Sequence, residues 1–553
     1  MVAADLIIEN ARVLTLDPTA PRAAAVAVAG NRIVAVGTRD GMAAMKGPAT
    51  RVFDAGGATV LPGFIESHMH VFAGSVQLDR LSLAGLEGFD AVAAAVRKRA
   101  AEKPGEAVVL VEQAQYGMFG GEPITRQMLD RILPDRPLAL WAGDHHTMWA
   151  NTAALEKTGL IHGKSLPVGN EVVMGADGRA AGELREFPAY EAILALTPNG
   201  GRDGNGLFAG RAFAVDPGQA ARDADTATLR KGLAYLAAHG ITSFHNMDGD
   251  PYQFELLKRI DDEEGLPVRA RVPLRMLPDH PVSDLELATQ QWQIYRSDRL
   301  SGGFIKMFMD GVGESTTAWM LDDYGGHPGV RGAPLFDLDH FNAICVEADR
   351  RGLQIAVHAI GDAAVRATLD GYEAARKANG RRDSRHRIEH VEALDPADLP
   401  RFAALGVVAS MQPTHAPGDV YPMEPMCSLF GEKRLRTAYA WGSLRRSGAP
   451  LCFASDWPVA PIDPMLSIKA AVTRRKLSPN AAEERQTLGE ALAGYTRDGA
   501  WVEFAEDRKG MLRPGYLADI VVLDGDIEAT SPEAIDAMTV RLTVCDGRVT
   551  HQA

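Results

Sequence analysis

Cysteine is scarce. The 553 residues include four, Cys345, Cys427, Cys452 and Cys545, scattered and without a Cys-x-x-Cys spacing. That excludes a disulfide framework and fits a reducing compartment. Cys345 and Cys452 lie in apolar runs and read as free core thiols. Long apolar runs are missing as well. The stretch 23–29 is far too short to span a bilayer. Asp5 and Glu9 come before any apolar stretch, and no basic leader precedes a long apolar segment, so no signal peptide is read. The expectation is a mature protein equal to the whole chain, in the cytoplasm. Basic charge is in deficit, with 58 Lys and Arg against 72 Asp and Glu, a net charge of -14. This argues against nucleic acid or an anionic membrane as partner. Internal repeats and low-complexity tracts are absent.

What is present is ordinary for a globular protein, with 46% hydrophobic and 24% charged residues. The length allows two to four domains and a large core. Residues 3–60 read as short strands and turns, with Gly30-Asn31 as a hairpin signal. Residues 518–523 and 540–544 read the same way. Strands at both ends suggest one small β-sandwich, formed by residues 1–60 and 501–553. From 61 to about 500, apolar strands alternate with polar loops and amphipathic helices, which predicts a parallel sheet with crossover helices. Eight strands are expected, at 61–67, 241–245, 268–275, 303–309, 354–358, 387–391, 406–411 and 450–455. Eight such units make an α/β fold, a (β/α)8 TIM barrel, with its chemistry at the C-terminal strand ends. Residues 105–220 break the repeat and read as an insertion after the first barrel strand, with strands at 107–112 and 137–142, a helix at 152–157 and a hairpin around Asp177-Gly178. A further helix is expected over 220–239.

The stretch Phe64-Ile65-Glu66-Ser67-His68-Met69-His70 stands at the head of this region. On an extended backbone, His-x-His puts two imidazoles on one side, and imidazole is a common metal ligand. The bland reading is two chance histidines near a turn. Later strand ends weigh against it. Lys306 sits inside an apolar strand, where an ammonium is costly. It either snorkels to the barrel mouth or is kept neutral or modified as a ligand. His358 and Asp456 each end another apolar strand, and His390 lies in the strand Arg387-Ile388-Glu389-His390-Val391.

In order, LPGFIESHMH, FIKMFMDG, VHAIGDAA, RIEHVEAL, ASMQPTH, FASDWPV and LRPGYLADIVVLD cover essentially the whole chain. They resemble the amidohydrolase superfamily of metal-dependent hydrolases, in the branch that includes N-substituted formamide deformylase-like enzymes. The resemblance implies the barrel with its side sandwich and one or two divalent metals, zinc first. It implies that His68, His70 and Asp456 hold one metal, and His358 and His390 a second. Lys306 is then carboxylated by carbon dioxide, its carbamate bridging the two, and Asp456 moves the proton.

Further residues are weighed as substrate contacts: His145 and His146 beside Asp144, Trp319 and Tyr324 in a Gly-rich loop that could form a lid, His415, and Trp457. Arg382, Arg385 and Arg387 read as a solvated or ion-paired basic face. The expected function is hydrolysis of a C–N bond in an amide or N-substituted formamide. Deamination and ester or lactone hydrolysis on the same site are alternatives, and so is a scaffold that lost its metals. The expected partner is a small-molecule substrate, and the frequency of symmetric assemblies favours a homodimer.

Overall fold

The computed structural model describes residues 3–143, 145–166, 169–418 and 420–553. It divides into two compact units. The first comprises Met1–Val71, Ala209–Ala212 and Arg230–Ala553, and the second Phe72–Phe208 and Phe213–Leu229.

In the first unit both ends of the chain share one sheet. Ile520–Leu523 pairs antiparallel with Thr59–Pro62, in the register Ile520 to Pro62 and Val522 to Val60. A second sheet holds Leu6–Glu9, Ala25–Ala29, Arg32–Gly37 and Arg51–Asp54. Alternating residues of both sheets, among them Ile8, Val26, Val60, Ile520 and Val544, meet in a single apolar core.

The rest of this unit is a TIM-barrel-like α/β fold. Phe64–Met69, Ile241–Asn246, Arg269–Arg271 and Leu300–Ser301 form one parallel sheet. Leu274–Arg275, Phe304–Phe308, Gln354–Ala359, Arg387–His390, Val408–Met411 and Leu451–Phe453 form another. The expected strands from 241 on are all present, the third in two pieces and the fourth as Phe304–Phe308, preceded by the short piece Leu300–Ser301. Pro273 cannot donate to the ladder of the third. Gly303 takes φ +94° in the fourth, where an added Cβ would lie 2.8 Å from the Trp292 indole.

One expectation is corrected. The stretch 61–67 is not one strand. Thr59–Pro62 belongs to the terminal sheet and Phe64–Met69 to the barrel. Gly63 makes the passage, because a Cβ there would lie 2.3 Å from the Thr242 side chain.

The second unit is built on a mixed sheet. Leu81–Ser82, Val109–Ala114 and Leu138–Ala142 run parallel, and Thr147–Ala150, Ala180–Arg185 and Glu171–Met174 follow antiparallel. Its strands are apolar on both faces. Val109, Val111 and Leu140 pack with Val92, Val96 and Leu129 on one side. Leu110, Ala139 and Trp141 pack with Leu155, Leu184 and Tyr190 on the other. The helix Phe89–Glu102 therefore belongs to this unit, together with the segment from 105 on. The helix Thr152–Lys157 begins at Asn151, whose side chain accepts from Ala154 N. Among the described residues no helix is long and apolar enough to cross a membrane.

Candidate metal centre

Every residue of Phe64–Met69 is buried. The His68 Nδ1 lies 2.7 Å from Glu389 Oε2. Burial works against ionising Glu389, but Arg387 and His68 outweigh it and hold the carboxyl well below its ordinary range. A carboxylate only accepts, so Nδ1 carries the proton and Nε2 presents a lone pair. That Nε2 lies 3.3 Å from Asp456 Oδ1. His70 Nε2 lies 3.2 Å from the same oxygen. Asp456 is held ionised too, since the surrounding imidazoles of His68, His70 and His390 overcome the burial that opposes its charge. An ionised oxygen this close to two imidazole nitrogens draws a positive species, a proton or a metal ion, and one ligand atom from each of these three residues falls within 4.8 Å of the others. For His70, burial lowers the pKa, but Asp248 and Asp456 prevail and raise it to about 9. The negative field that attracts a proton there attracts a cation equally. Imidazole and carboxylate donors at this spacing fit a zinc-like divalent ion.

His358 and His390 stand beside this trio, with ring centroids 4.4 Å apart, and His390 is 4.8 Å from His68. Nε2 of His358 is 3.0 Å from Gly311 O. Nδ1 of His390 is 2.9 Å from Gln412 Oε1. Both partners accept, so each ring keeps its other nitrogen as a lone pair. His390 also groups with Glu392 and His415 as a possible ligand set. Lys306 is fully buried, and its Nζ has no hydrogen-bond partner among the described residues. It lies 4.6 Å over the Phe308 ring. Burial lowers its pKa to about 7.

Local backbone geometry brings these groups together. Consecutive strand residues face opposite ways, yet Glu389 and His390 both reach His68. Positive φ at His390 (75°) and Val391 (51°) breaks the alternation. Asp456, at φ 64°, is pinned by its own N–H, 2.9 Å from His68 O. The preceding N–H of Ser455 donates to Glu66 Oε1 at 2.8 Å. Burial raises the Glu66 pKa to about 8.

The remaining candidates lie in varied places. His415 lies 3.9 Å from Asp456 Oδ2 through Nε2 and 3.5 Å from Glu392 Oε1 through Nδ1. Trp457 accepts from His70 N at 2.8 Å through its backbone oxygen. Tyr324 is buried and donates to Ala318 O at 2.7 Å, within its own loop. The Trp319 N–H donates to Asp310 Oδ2 at 2.8 Å, which ties the loop to a buried carboxylate. His145 and His146 belong to the second unit. His145 packs on Trp141 and lies 2.9 Å from Gln77 Nε2, and His146 lies 2.8 Å from Glu186 Oε2. Asp144 lies outside the described residues.

Arg387 is a second correction. It is not on a basic surface with Arg382 and Arg385 but wholly buried, with its guanidinium on Glu389. Arg382 pairs with Asp349 and Arg385 with Glu506. Sequence reading also passed over Glu389, Glu392, Asp248 and Asp310. The signal that flagged Lys306, a charge inside an apolar strand, is missing from Arg387-Ile388-Glu389-His390, which has one apolar residue and is wholly buried all the same.

The sequence profile of the amidohydrolase family matches residues 51–551. The chain therefore belongs to the amidohydrolase family and is an enzyme of that hydrolytic family. It is 30% identical to Protein LONG AFTER FAR-RED 3 of Arabidopsis thaliana over 94% of this chain and 87% of that protein. It is 27% identical to the N-substituted formamide deformylase of Arthrobacter pascens over 99% of this chain and 98% of that one. Among solved structures, an uncharacterized metal-dependent hydrolase from Pyrococcus furiosus matches with TM-score 0.70 and 23% identity, over 96% of this chain and 99% of that one. This last likeness concerns the fold.

Proposed function

We propose that this enzyme is a metal-dependent hydrolase that cleaves the C–N bond of an amide or N-substituted formamide. The observation that carries the reading is the approach of His68 Nε2 and His70 Nε2 to one ionised oxygen of Asp456, at 3.3 and 3.2 Å. A divalent ion such as zinc, held there, supplies an acidified water and polarises a carbonyl. The chain's own groups do the rest. The free Asp456 oxygen takes a proton from the attacking water and returns it to the departing nitrogen. Water oxygen joins the carbonyl carbon, the C–N bond breaks, and acid and amine leave. His415 Nε2 is buried without a hydrogen-bond partner among the described residues and faces Asp456, where it suits a substrate's polar group.

His358 and His390 are assigned to a second ion, with Lys306 as the shared ligand. The neutral amine of Lys306 adds to carbon dioxide, one proton leaves to solvent, and the carbamate carries one negative charge. Its buried and unpartnered Nζ supports this. The near full-length similarity to a formamide deformylase supports C–N chemistry and an N-substituted formamide. Assembly as a homodimer is part of the reading and is checked by light scattering.

The test is a hydrolysis screen over N-substituted formamides, N-acyl amines, cyclic amides, lactones and aminated heterocycles, with zinc and bicarbonate supplied. Formate and amine in equal amounts support the reading. Ammonia from a heterocycle, or turnover of lactones alone, replaces it. Lys306→Ala should lose zinc and turnover together, and a short carboxylic acid should restore part of both. Lys306→Arg should not, because it keeps a cation where an anion is required. Unchanged zinc content in Lys306→Ala would reduce the site to one ion on His68, His70 and Asp456.

A further inference from the structure

The Glu389–Arg387 pair behind His68 continues away from the metal centre. Arg387 Nη1 lies 2.8 Å from His245 Nδ1. A guanidinium only donates, so His245 Nδ1 accepts and its Nε2 carries the proton. That Nε2 faces Glu503 Oε2 at 3.4 Å. Glu503 in turn pairs with Lys509, which also donates to Ser243 Oγ. His245, Arg387 and Glu389 are fully buried, and Lys509 is 5% exposed. One tautomer of His245 suits both neighbours, with Nδ1 accepting from Arg387 and the protonated Nε2 turned toward the Glu503 carboxylate. If His245 took the other tautomer, Nδ1–H would meet an N–H of Arg387.

We propose that Glu503 and His245 are positioning residues for the metal ligand His68, acting through Arg387 and Glu389. Glu503 supplies the negative charge that faces the protonated Nε2 of His245 and favours the tautomer Arg387 requires. His245 then holds Arg387 by an acceptor at Nη1. Arg387, through Nε and Nη2, holds the Glu389 side chain aimed at His68 Nδ1, which leaves His68 Nε2 turned toward the ion. The segment that carries Glu503 is itself anchored, since Gln354 Nε2 donates to Val502 O at 2.9 Å. Residues outside the ligand set thus decide how well His68 binds metal. This rests on the metal-site reading above.

The test is zinc affinity, measured by chelator competition on purified full-length protein, with the visible spectrum of the cobalt-substituted form as a reading of ligand geometry. His245→Leu removes the acceptor for Arg387 and should weaken zinc binding by about tenfold, the low end for lost outer partners of a metal ligand. His245→Asn keeps an acceptor near the Nδ1 position and should stay within about threefold of the parent. A merely structural role would lower both variants alike. Glu503→Leu, whose site lines a cavity of about 260 Å³ that can admit water, gives the same test if His245→Leu does not fold. It should weaken zinc binding by about threefold or more. Parent-like affinity in His245→Leu or, failing that, in Glu503→Leu overturns the positioning role, as does equal loss in the Leu and Asn variants. A parent that holds no zinc overturns the metal-site reading itself, and this inference with it.

Discussion

The two units of the molecule have opposite interiors. The sheet of the second unit is apolar on both faces, with Val109, Val111 and Leu140 on one side and Leu110, Ala139 and Trp141 on the other. The barrel-like interior of the first unit holds Glu66, His68, His245, Lys306, Arg387 and Glu389, each at most 1% exposed. The first kind of core is stabilised by area removed from water, without direction, and tolerates exchange of one apolar residue for another of similar size. The second is stable only while each charge such as Arg387 and Glu389 keeps its partner and groups such as Lys306 and Glu66 are driven toward neutrality, because an isolated buried charge is costly. A directional interior is a poor way to gain stability and a good way to hold an imidazole in one tautomer.

Three substitutions sharpen that contrast. The largest effect is expected at Asp456→Asn, which keeps the shape but removes the anion proposed to relay the proton. Turnover should fall by about 10²- to 10⁴-fold while metal analysis still finds most of the zinc, and loss of both together would assign Asp456 to binding alone. Next is Arg387→Met. It strands Glu389 and should destabilise the first unit by about 3–5 kcal/mol in urea unfolding. Adding Glu389→Leu should recover part of the loss, and no recovery would mean that the pair matters for packing rather than charge. The smallest is Leu140→Ala, expected to cost about 3 kcal/mol. The loss should appear as faster hydrogen exchange within the second unit, with zinc affinity unchanged. A change in zinc affinity there would blur the distinction between the two interiors.

The apolar interior was the easier one to read in the sequence. Strands such as 137–142 announce themselves by composition, and the observed Leu138–Ala142 falls inside that range. The histidines and Asp456 were legible because each lies in or at the end of an expected strand. What was not legible depends on backbone angles and on pairing at long separation in the chain. Alternation says that if Glu389 faces inward, His390 faces outward, and only the positive φ values at His390 and Val391 let both face His68. The partner of Arg387 at His245 is 142 residues away in sequence, and three nearby arginines looked alike until burial separated them. Gly63 was hidden for a similar reason, since a tight approach to Thr242 leaves no periodic signature.

Gly63 also bears on how the protein is made. The strand that carries His68 continues, across that one glycine, from Thr59–Pro62, and Thr59–Pro62 is flanked in its sheet by Ile520–Leu523. On the ribosome the histidine pair emerges long before the strand that completes its anchorage. Pairing at that separation is slow to form. A nascent chain, or one broken off before residue 520, carries the His-x-His stretch without this flanking support. Filling of the proposed metal site then awaits the pairing of Ile520–Leu523, and a chain broken off before that strand meets a cell's quality control with its first barrel strand unsecured.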